Sequence, residues 1–275
     1  RYENDGIFIN GERQPLTFVT PDTDVTPADL VIVATKNTQL AEAVDAIRKH
    51  VGTHTAIISL LNGVDSEEVL AHAYGEEKIL YSYVNELGSR HDGKNITVVS
   101  PGHIALGEKD NKVTERLMAI TSLLRNAGIS VVTPDDILHA LWYKFALNTM
   151  YNSLTALTRS SLGEMRDYPE TKACLDVLFQ EVVLAARTRN VTLNQEDLDN
   201  IRSGIARMPF VAWTSMRQDI EAGRRTENQW FCGTVARIGR EHGFPTPFAT
   251  TLASLLDAYE VIRAGQVRAL GNGQA

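Results

Sequence analysis

The chain has 275 residues, 43% of them hydrophobic and 22% charged, and its 27 basic and 34 acidic side chains give a net charge of −7. Those values exclude the disordered and collagen-like classes, and an acidic balance without a Lys/Arg run argues against nucleic-acid or anionic-membrane binding while leaving room for one basic pocket. Two distant cysteines, Cys174 and Cys232, make neither a disulfide framework nor a zinc quartet and read as reduced thiols of a cytoplasmic protein. No apolar run is long enough to span a bilayer, and Arg1–Gly6 has no signal-peptide character.

At roughly 150 residues per domain the length suggests two domains. The β-branched run Asp29–Thr35 predicts a strand buried on both faces. A helix is predicted over 38–50 from the spacing of Leu40, Val44 and Ile47. Thr55–Leu61 is a second buried strand, closed by Asn62-Gly63 and followed by a helix from about Asp65. Strand, helix, strand, helix implies a parallel sheet with right-handed crossovers. Further strands are predicted at 78–84, 96–100 and 103–106, with Gly93, Pro101 and Gly102 as turns. Val113, Leu117, Ile120 and Leu124 mark a helix that Gly128 ends, and Ile129–Val132 reads as an edge strand.

After Pro134 only helical periods follow, at 136–158, 168–190, 195–206, 209–222, 226–242 and 248–264, with Asp135 or Asp136 as the first cap. A boundary near Thr133 divides the chain into an α/β domain, 1–134, and an all-α domain, 135–275. A cleft between two such domains is the default ligand site.

The helix from Asp136 is apolar nearly all round, the pattern of a buried helix. Its exceptions, Lys144, Asn148 and Asn152, stand at i, i+4 and i+8, one stripe about 12 Å long at 1.5 Å per residue. Two amides can orient carboxylate and hydroxyl oxygens, and a desolvated lysine can give a proton to a carbonyl oxygen as hydride attacks the carbon. The competing reading is a snorkelling lysine beside amides that cap neighbouring helix ends. In Ser215–Glu227, Gly223 suits a helix C′ position, Thr226 with Gln229 suits a capping box, and Glu227 can complement a helix dipole. Lys36 and Asn62 follow the first two predicted strands, at the ends where open α/β sheets bind ligands. Cys232 reads as a core residue, and no metal site, GxSxG elbow or Walker loop is expected.

Taken together, six segments resemble the ketopantoate reductase family over essentially the whole chain. They are Val33–Lys36; Leu61–Val64 with Glu67-Glu68; Trp142–Lys144 through Asn148, Asn152 and Leu154–Leu157; Ser215-Met216 with Gln218–Ile220; Gly223-Arg224 with Thr226-Glu227; and Glu241–Gly243 with Pro245–Pro247. The resemblance implies an N-terminally incomplete α/β Rossmann-type domain followed by an all-α domain like that of 6-phosphogluconate dehydrogenase. It implies NADPH-dependent reduction of 2-dehydropantoate to pantoate, a step of pantothenate and coenzyme A biosynthesis. Lys144 is implied as general acid, Asn148 and Asn152 as substrate-binding amides, and Ser215 as the hydroxyl that holds the substrate carboxylate. Lys36 and Asn62 match groups facing the cofactor, NADPH or NADP, and the reacting centre, and Glu227 matches the acid that fixes bound ligands in both the catalytic and the cofactor site. The implied partners are a small 2-oxo acid and a second copy in a homodimer, with no nucleic acid and no membrane.

Three departures bear on the substrate. Glu227 is followed by Asn228-Gln229 instead of an acidic residue and Asn-Gly, Ser153 stands where the family has proline, and Leu162 stands where it has a substrate-side asparagine. Another 2-oxo acid is the alternative they raise. The family's GxGxxG loop is not in this sequence, which starts where the region after the second strand is expected, about one βαβ unit of ~30 residues later. A non-catalytic ligand-binding remnant is the alternative that follows if the polypeptide begins at Arg1.

Overall fold

The computed structural model describes residues 5–272, without the side chains of His91 and 265–272; the sequence reading of Arg1–Asn4 lies outside the described residues. The chain folds as two compact units, one ending at Leu138 and the next starting at His139.

The first unit is a mixed sheet. Its strands are β1 (Phe8–Ile9), β2 (Glu12–Arg13), β3 (Ala28–Val33), β4 (Val51–Ser59), β5 (Ile79–Asp92), β6 (Asn95–Gly107) and β7 (Val131–Val132), and its helices are α1 (Leu40–Ala46), α2 (Ser66–Tyr74) and α3 (Glu115–Asn126). The order is β2-β1-β6-β5-β4-β3, with β7 also on β6. Strands β3, β4 and β5 are parallel, joined through α1 and α2 as βαβ units require. Ile57 and Ile58, neighbours on opposite faces of β4, are both fully buried, as in a strand covered on both sides. One face packs Ala56, Ile58, Leu80, Ile104 and Leu106 against Leu117, Ile120 and Leu124 of α3.

The parallel pairing expected from the strand–helix–strand–helix pattern holds for β3, β4 and β5 and stops there: β5 and β6 form one long antiparallel hairpin paired from Tyr81↔Gly107 to Asp92↔Asn95. Only Gly93-Lys94 separate the two strands, whereas parallel neighbours need a crossover of about a dozen residues or more. Pro101 and Gly102 therefore make no turn; they lie inside β6, where Gly102 has φ +62° opposite Glu86 with φ +58°. A Cβ on Gly102 would stand 2.2 Å from the Asn85 carbonyl oxygen, so this paired kink requires glycine. The helix predicted over 38–50 is broken into α1 between two 3₁₀ turns, 37–39 and 48–50, with no side-chain cap at the start of α1. Val113 precedes the Thr114 cap of α3 and is exposed, so it is not on that helix's buried face.

The second unit is helical: α4 (Ile137–Thr158), α5 (Leu162–Asp167), α6 (Pro169–Arg187), α7 (Gln195–Ala206), α8 (Ser215–Glu221), α9 (Cys232–His242) and α10 (Pro247–Asn272). Its interior holds Phe145 and Met150 of α4, Leu178 and Phe179 of α6, Val235 of α9 and Leu256 of α10. The Glu181 carboxylate of α6 accepts from the N–H groups of Phe248 and Ala249 at 2.8 and 2.7 Å, satisfying the first turn of α10. Three expectations change here. Helix α5 was not foreseen, although Ser161 and Glu164 form a full capping box. The helix predicted at 209–222 begins only at Ser215, after the Thr214 cap. The one predicted at 226–242 is interrupted at Phe231, and Thr226 and Gln229 form no capping box: Thr226 donates to Glu260 and Gln229 to Asp257 on α10. Gly223 is the C′ residue, with φ +68° and the Gly223→Ile220 and Arg224→Asp219 backbone bonds of a Schellman end. No helix among the described residues is long and apolar enough to cross a membrane.

Candidate active site

In the helical unit the polar stripe of α4 meets the start of α8. Lys144 and Asn148 are half-buried, and Asn152 is buried. The Asn152 amide oxygen accepts from the Met216 N–H at 3.4 Å and from the Ser215 hydroxyl at 3.3 Å. A backbone N–H can only donate, so that contact fixes the Asn152 amide with its nitrogen toward Asn148, whose oxygen accepts from it at 3.3 Å. Asn148, Asn152 and Ser215 thus form one chain of hydrogen bonds, and Ser215 stands exposed at its end. Part of the helix-capping reading holds as well, since Asn152 satisfies one of the first N–H groups of α8. Thr214 anchors the same end through Thr155 Oγ1 at 2.6 Å, one turn along α4.

Trp142 and Phe145, which flank Tyr143-Lys144 in the sequence of α4, meet edge to face with ring centroids 5.2 Å apart. Phe145 also packs on Phe231 at 6.4 Å, and Cys232 Sγ lies 3.1 Å from Ser153 Oγ. These contacts hold the 226–232 segment against α4. Glu227 is buried in that segment, at the start of the 3₁₀ turn 228–230. Its neighbours pin it to α10: the Thr226 backbone and hydroxyl donate to Glu260 at 3.0 and 2.5 Å, and the Asn228 amide donates to the Ala253 carbonyl and Asp257 at 2.8 and 3.0 Å. Burial pushes the Cys232 thiol up to about 12, which fits a core residue and no nucleophile.

In the sheet unit, Lys36 and Asn62 follow the C-terminal ends of β3 and β4, which pair through Val33↔Ser59. The Leu60 N–H donates to the Val33 carbonyl at 2.8 Å, and the buried Asn37 amide donates to the Asn62 carbonyl at 2.8 Å. The two strand-end loops are thereby tied together, with Lys36 exposed and Gly63 at φ +101° beside Asn62. Asn37 is a residue the sequence reading passed over; its only signal was an amide directly after Lys36 at a strand end.

Leu162 is buried at the start of α5, with its N–H on the Ala212 carbonyl at 2.9 Å. A cavity of about 800 Å³ lies elsewhere, lined by Ile220, Gly223, Arg224, Glu260 and Arg263 among others, and none of the candidate residues lines it. Among the described residues no group of three or more His, Cys, Asp or Glu has the arrangement of a metal site.

Comparison with known proteins accounts for both units. The family model for ketopantoate reductase PanE/ApbA matches residues 1–111, and that for its C-terminal part matches residues 136–260. The chain is 27% identical over 264 residues to the 2-dehydropantoate 2-reductase of Yersinia pestis, covering 94% of this chain and 85% of that one. It is 24% identical over 264 residues to that of Streptococcus pyogenes serotype M1, covering 94% and 86%. The crystal structure of 2-dehydropantoate 2-reductase from Geobacter metallireducens GS-15 superposes with a TM-score of 0.80 at 26% identity, covering 92% of this chain and 85% of that one. A D-mandelate dehydrogenase solved with NADH and anilino(oxo)acetate shares the fold, with a TM-score of 0.84 at 21% identity and coverage of 96% and 88%. A Rossmann-type sheet unit, a helical unit and these matches place the chain in the ketopantoate reductase family of NADP-dependent oxidoreductases.

Proposed function

We propose that the protein reduces the ketone of 2-dehydropantoate to the hydroxyl of pantoate with NADPH, with Lys144 as the general acid. The observation that carries this reading is the alignment of Lys144, Asn148 and Asn152 on α4 and the hydrogen bonding of that stripe to Ser215. The nicotinamide supplies a hydride to C2 of the oxo acid when bound. Lys144 Nζ gives a proton to the ketone oxygen, so C2=O becomes CH–OH and the neutral amine is reprotonated from solvent. Because the Asn148 oxygen is occupied by Asn152, its amide nitrogen faces away to donate to a substrate oxygen. Ser215 holds the carboxylate, and Glu227 fixes the bound ligands. An ammonium, an amide and a positive-φ glycine at two tied strand ends suit the hydroxyls and carboxamide of the nicotinamide nucleoside, so Lys36 and Asn62 are assigned to that half of the cofactor. We assign the protein to the cytoplasm and to a homodimer; the exposed Leu255, Val261 and Ile262 of α10 are the surface that favours association.

Lys144→Ala tests the mechanism: the turnover number for NADPH oxidation should fall by about 10²–10⁴, the usual worth of general acid catalysis. An unchanged turnover number would remove Lys144 from the reaction. A second reading, reduction of a different 2-oxo acid, is favoured by the buried apolar Leu162 where the family resemblance expects an amide. A panel of oxo acids compared by kcat/KM separates the two.

A further inference from the structure

The Glu67 of the second resembling segment has no part in the chemistry above, yet it is a carboxylate only 2% exposed, in the first turn of α2. Burying a carboxylate is costly unless hydrogen bonds and dipoles compensate. Here the compensation forms a chain with a single direction. A carboxylate only accepts, so the Ser66 hydroxyl spends its one proton on Glu67, at 2.9 Å. The Ser59 hydroxyl must then donate to Ser66 Oγ, at 2.8 Å, which leaves its own lone pairs to accept from the Leu61 N–H at 3.4 Å. Ser82 on β5 locks the backbone of Ser59 from the other side, accepting from its N–H at 3.0 Å and donating to its carbonyl at 2.8 Å. Ser59, Ser66 and Ser82 are all buried.

The chain ends on the loop that presents Asn62. Three successive residues of that loop are anchored: Leu60 to the Val33 carbonyl, Leu61 to Ser59, and Asn62 to Asn37. The Leu61 anchor is continued through Ser59 and Ser66 into the buried Glu67 carboxylate, and a hydrogen bond is stronger when its acceptor is itself polarised by a charged partner. We infer that Ser59, Ser66 and Glu67 are positioning residues that set the Asn62 loop for the nicotinamide cofactor. This rests on the reading in which Asn62 faces that cofactor. A purely structural role would leave the relay indifferent to what stands at position 62.

A double-mutant cycle in the intact protein decides, with NADP dissociation constants from calorimetry and hydrogen exchange at the Leu61 amide. Ser66→Ala should weaken NADP binding roughly tenfold, with KM for NADPH rising far more than kcat falls, and should speed Leu61 exchange. In an Asn62→Ala background the same substitution should cost almost nothing further. Glu67→Gln, which keeps an acceptor oxygen but not the charge, should give an intermediate loss and carries the same cycle if Ser66→Ala does not fold. Equal losses in both backgrounds, or none in either, would overturn the inference. An Asn62→Ala variant with undiminished NADP affinity would instead overturn the assignment of Asn62, and the inference with it.

Discussion

The two groups of candidate residues are held in different ways. On α4, Lys144, Asn148 and Asn152 share one helix whose fixed rise sets their spacing, and Phe145 of that helix packs on Phe231. At the strand ends, Lys36 and Asn62 sit on separate loops tied together by the Leu60–Val33 and Asn37–Asn62 hydrogen bonds, with the buried serine relay behind Leu61. The helix needs no partner to align its residues; the loops need several. Chemistry that tolerates little displacement, such as proton delivery to one oxygen, belongs on the first kind of support, and a set that must accept and release a large cofactor can use the second.

That contrast has a kinetic form. Asn152→Ala removes the acceptor for Ser215 and Met216 and the donor to Asn148, so the KM for the oxo acid should rise about tenfold or more, with the KM for NADPH within about twofold of the parent. Asn62→Ala should do the reverse. If both variants moved both constants alike, the division of labour between the two groups would be lost.

Stability offers a second handle. In the sheet unit, burial pushes the Glu108 carboxyl up, but hydrogen bonds from Arg116 and Thr114 together outweigh it and leave the group below its usual 4.5. A carboxyl whose folded pKa is depressed contributes stability above the unfolded value, and loses it as pH falls through the lower folded value. Unfolding midpoints should therefore drop below about pH 4.5, and Glu108→Ala, by removing charge-assisted bonds to Arg116, should cost about 1.5–3 kcal/mol at neutral pH and flatten that acid slope. In the helical unit, Ser161→Ala removes the α5 cap and should cost about 1 kcal/mol in denaturant titration. The smallest effect concerns Cys232, whose thiol pKa near 12 predicts no reaction with a thiol reagent at pH 8 in the folded protein, while the partly exposed Cys174 reacts.

What could be read from sequence follows the same division. A lysine and two asparagines on an apolar helix stand out because burial makes polar residues anomalous, and their spacing alone aligns them. The strand at Ile57 was legible for the converse reason, as a continuous apolar, β-branched run, whereas the similar run at 29–35 is a strand but not one buried on both faces: β3 ends the sheet order among the described residues, and its Ile32 is 42% exposed. Local punctuation misled where tertiary partners outbid it: Pro101-Gly102 resembles a turn but kinks a strand, because β5 supplies hydrogen bonds along its whole length. Thr226 resembles a cap but binds Glu260, a residue 34 positions away. Ser161 and Glu164 carried a readable cap signal, and the helix it starts was missed because it is only six residues long. Asn37, Ser59 and Ser66 gain their roles only once β3, β4 and β5 are side by side, which no local pattern encodes.

The most direct test of the account is the initial rate of NADPH oxidation by the intact protein with 2-dehydropantoate and a panel of other 2-oxo acids. The account predicts oxidation in one-to-one step with formation of the 2-hydroxy acid, with 2-dehydropantoate the best substrate by kcat/KM. NADP binding without turnover of any 2-oxo acid would contradict it.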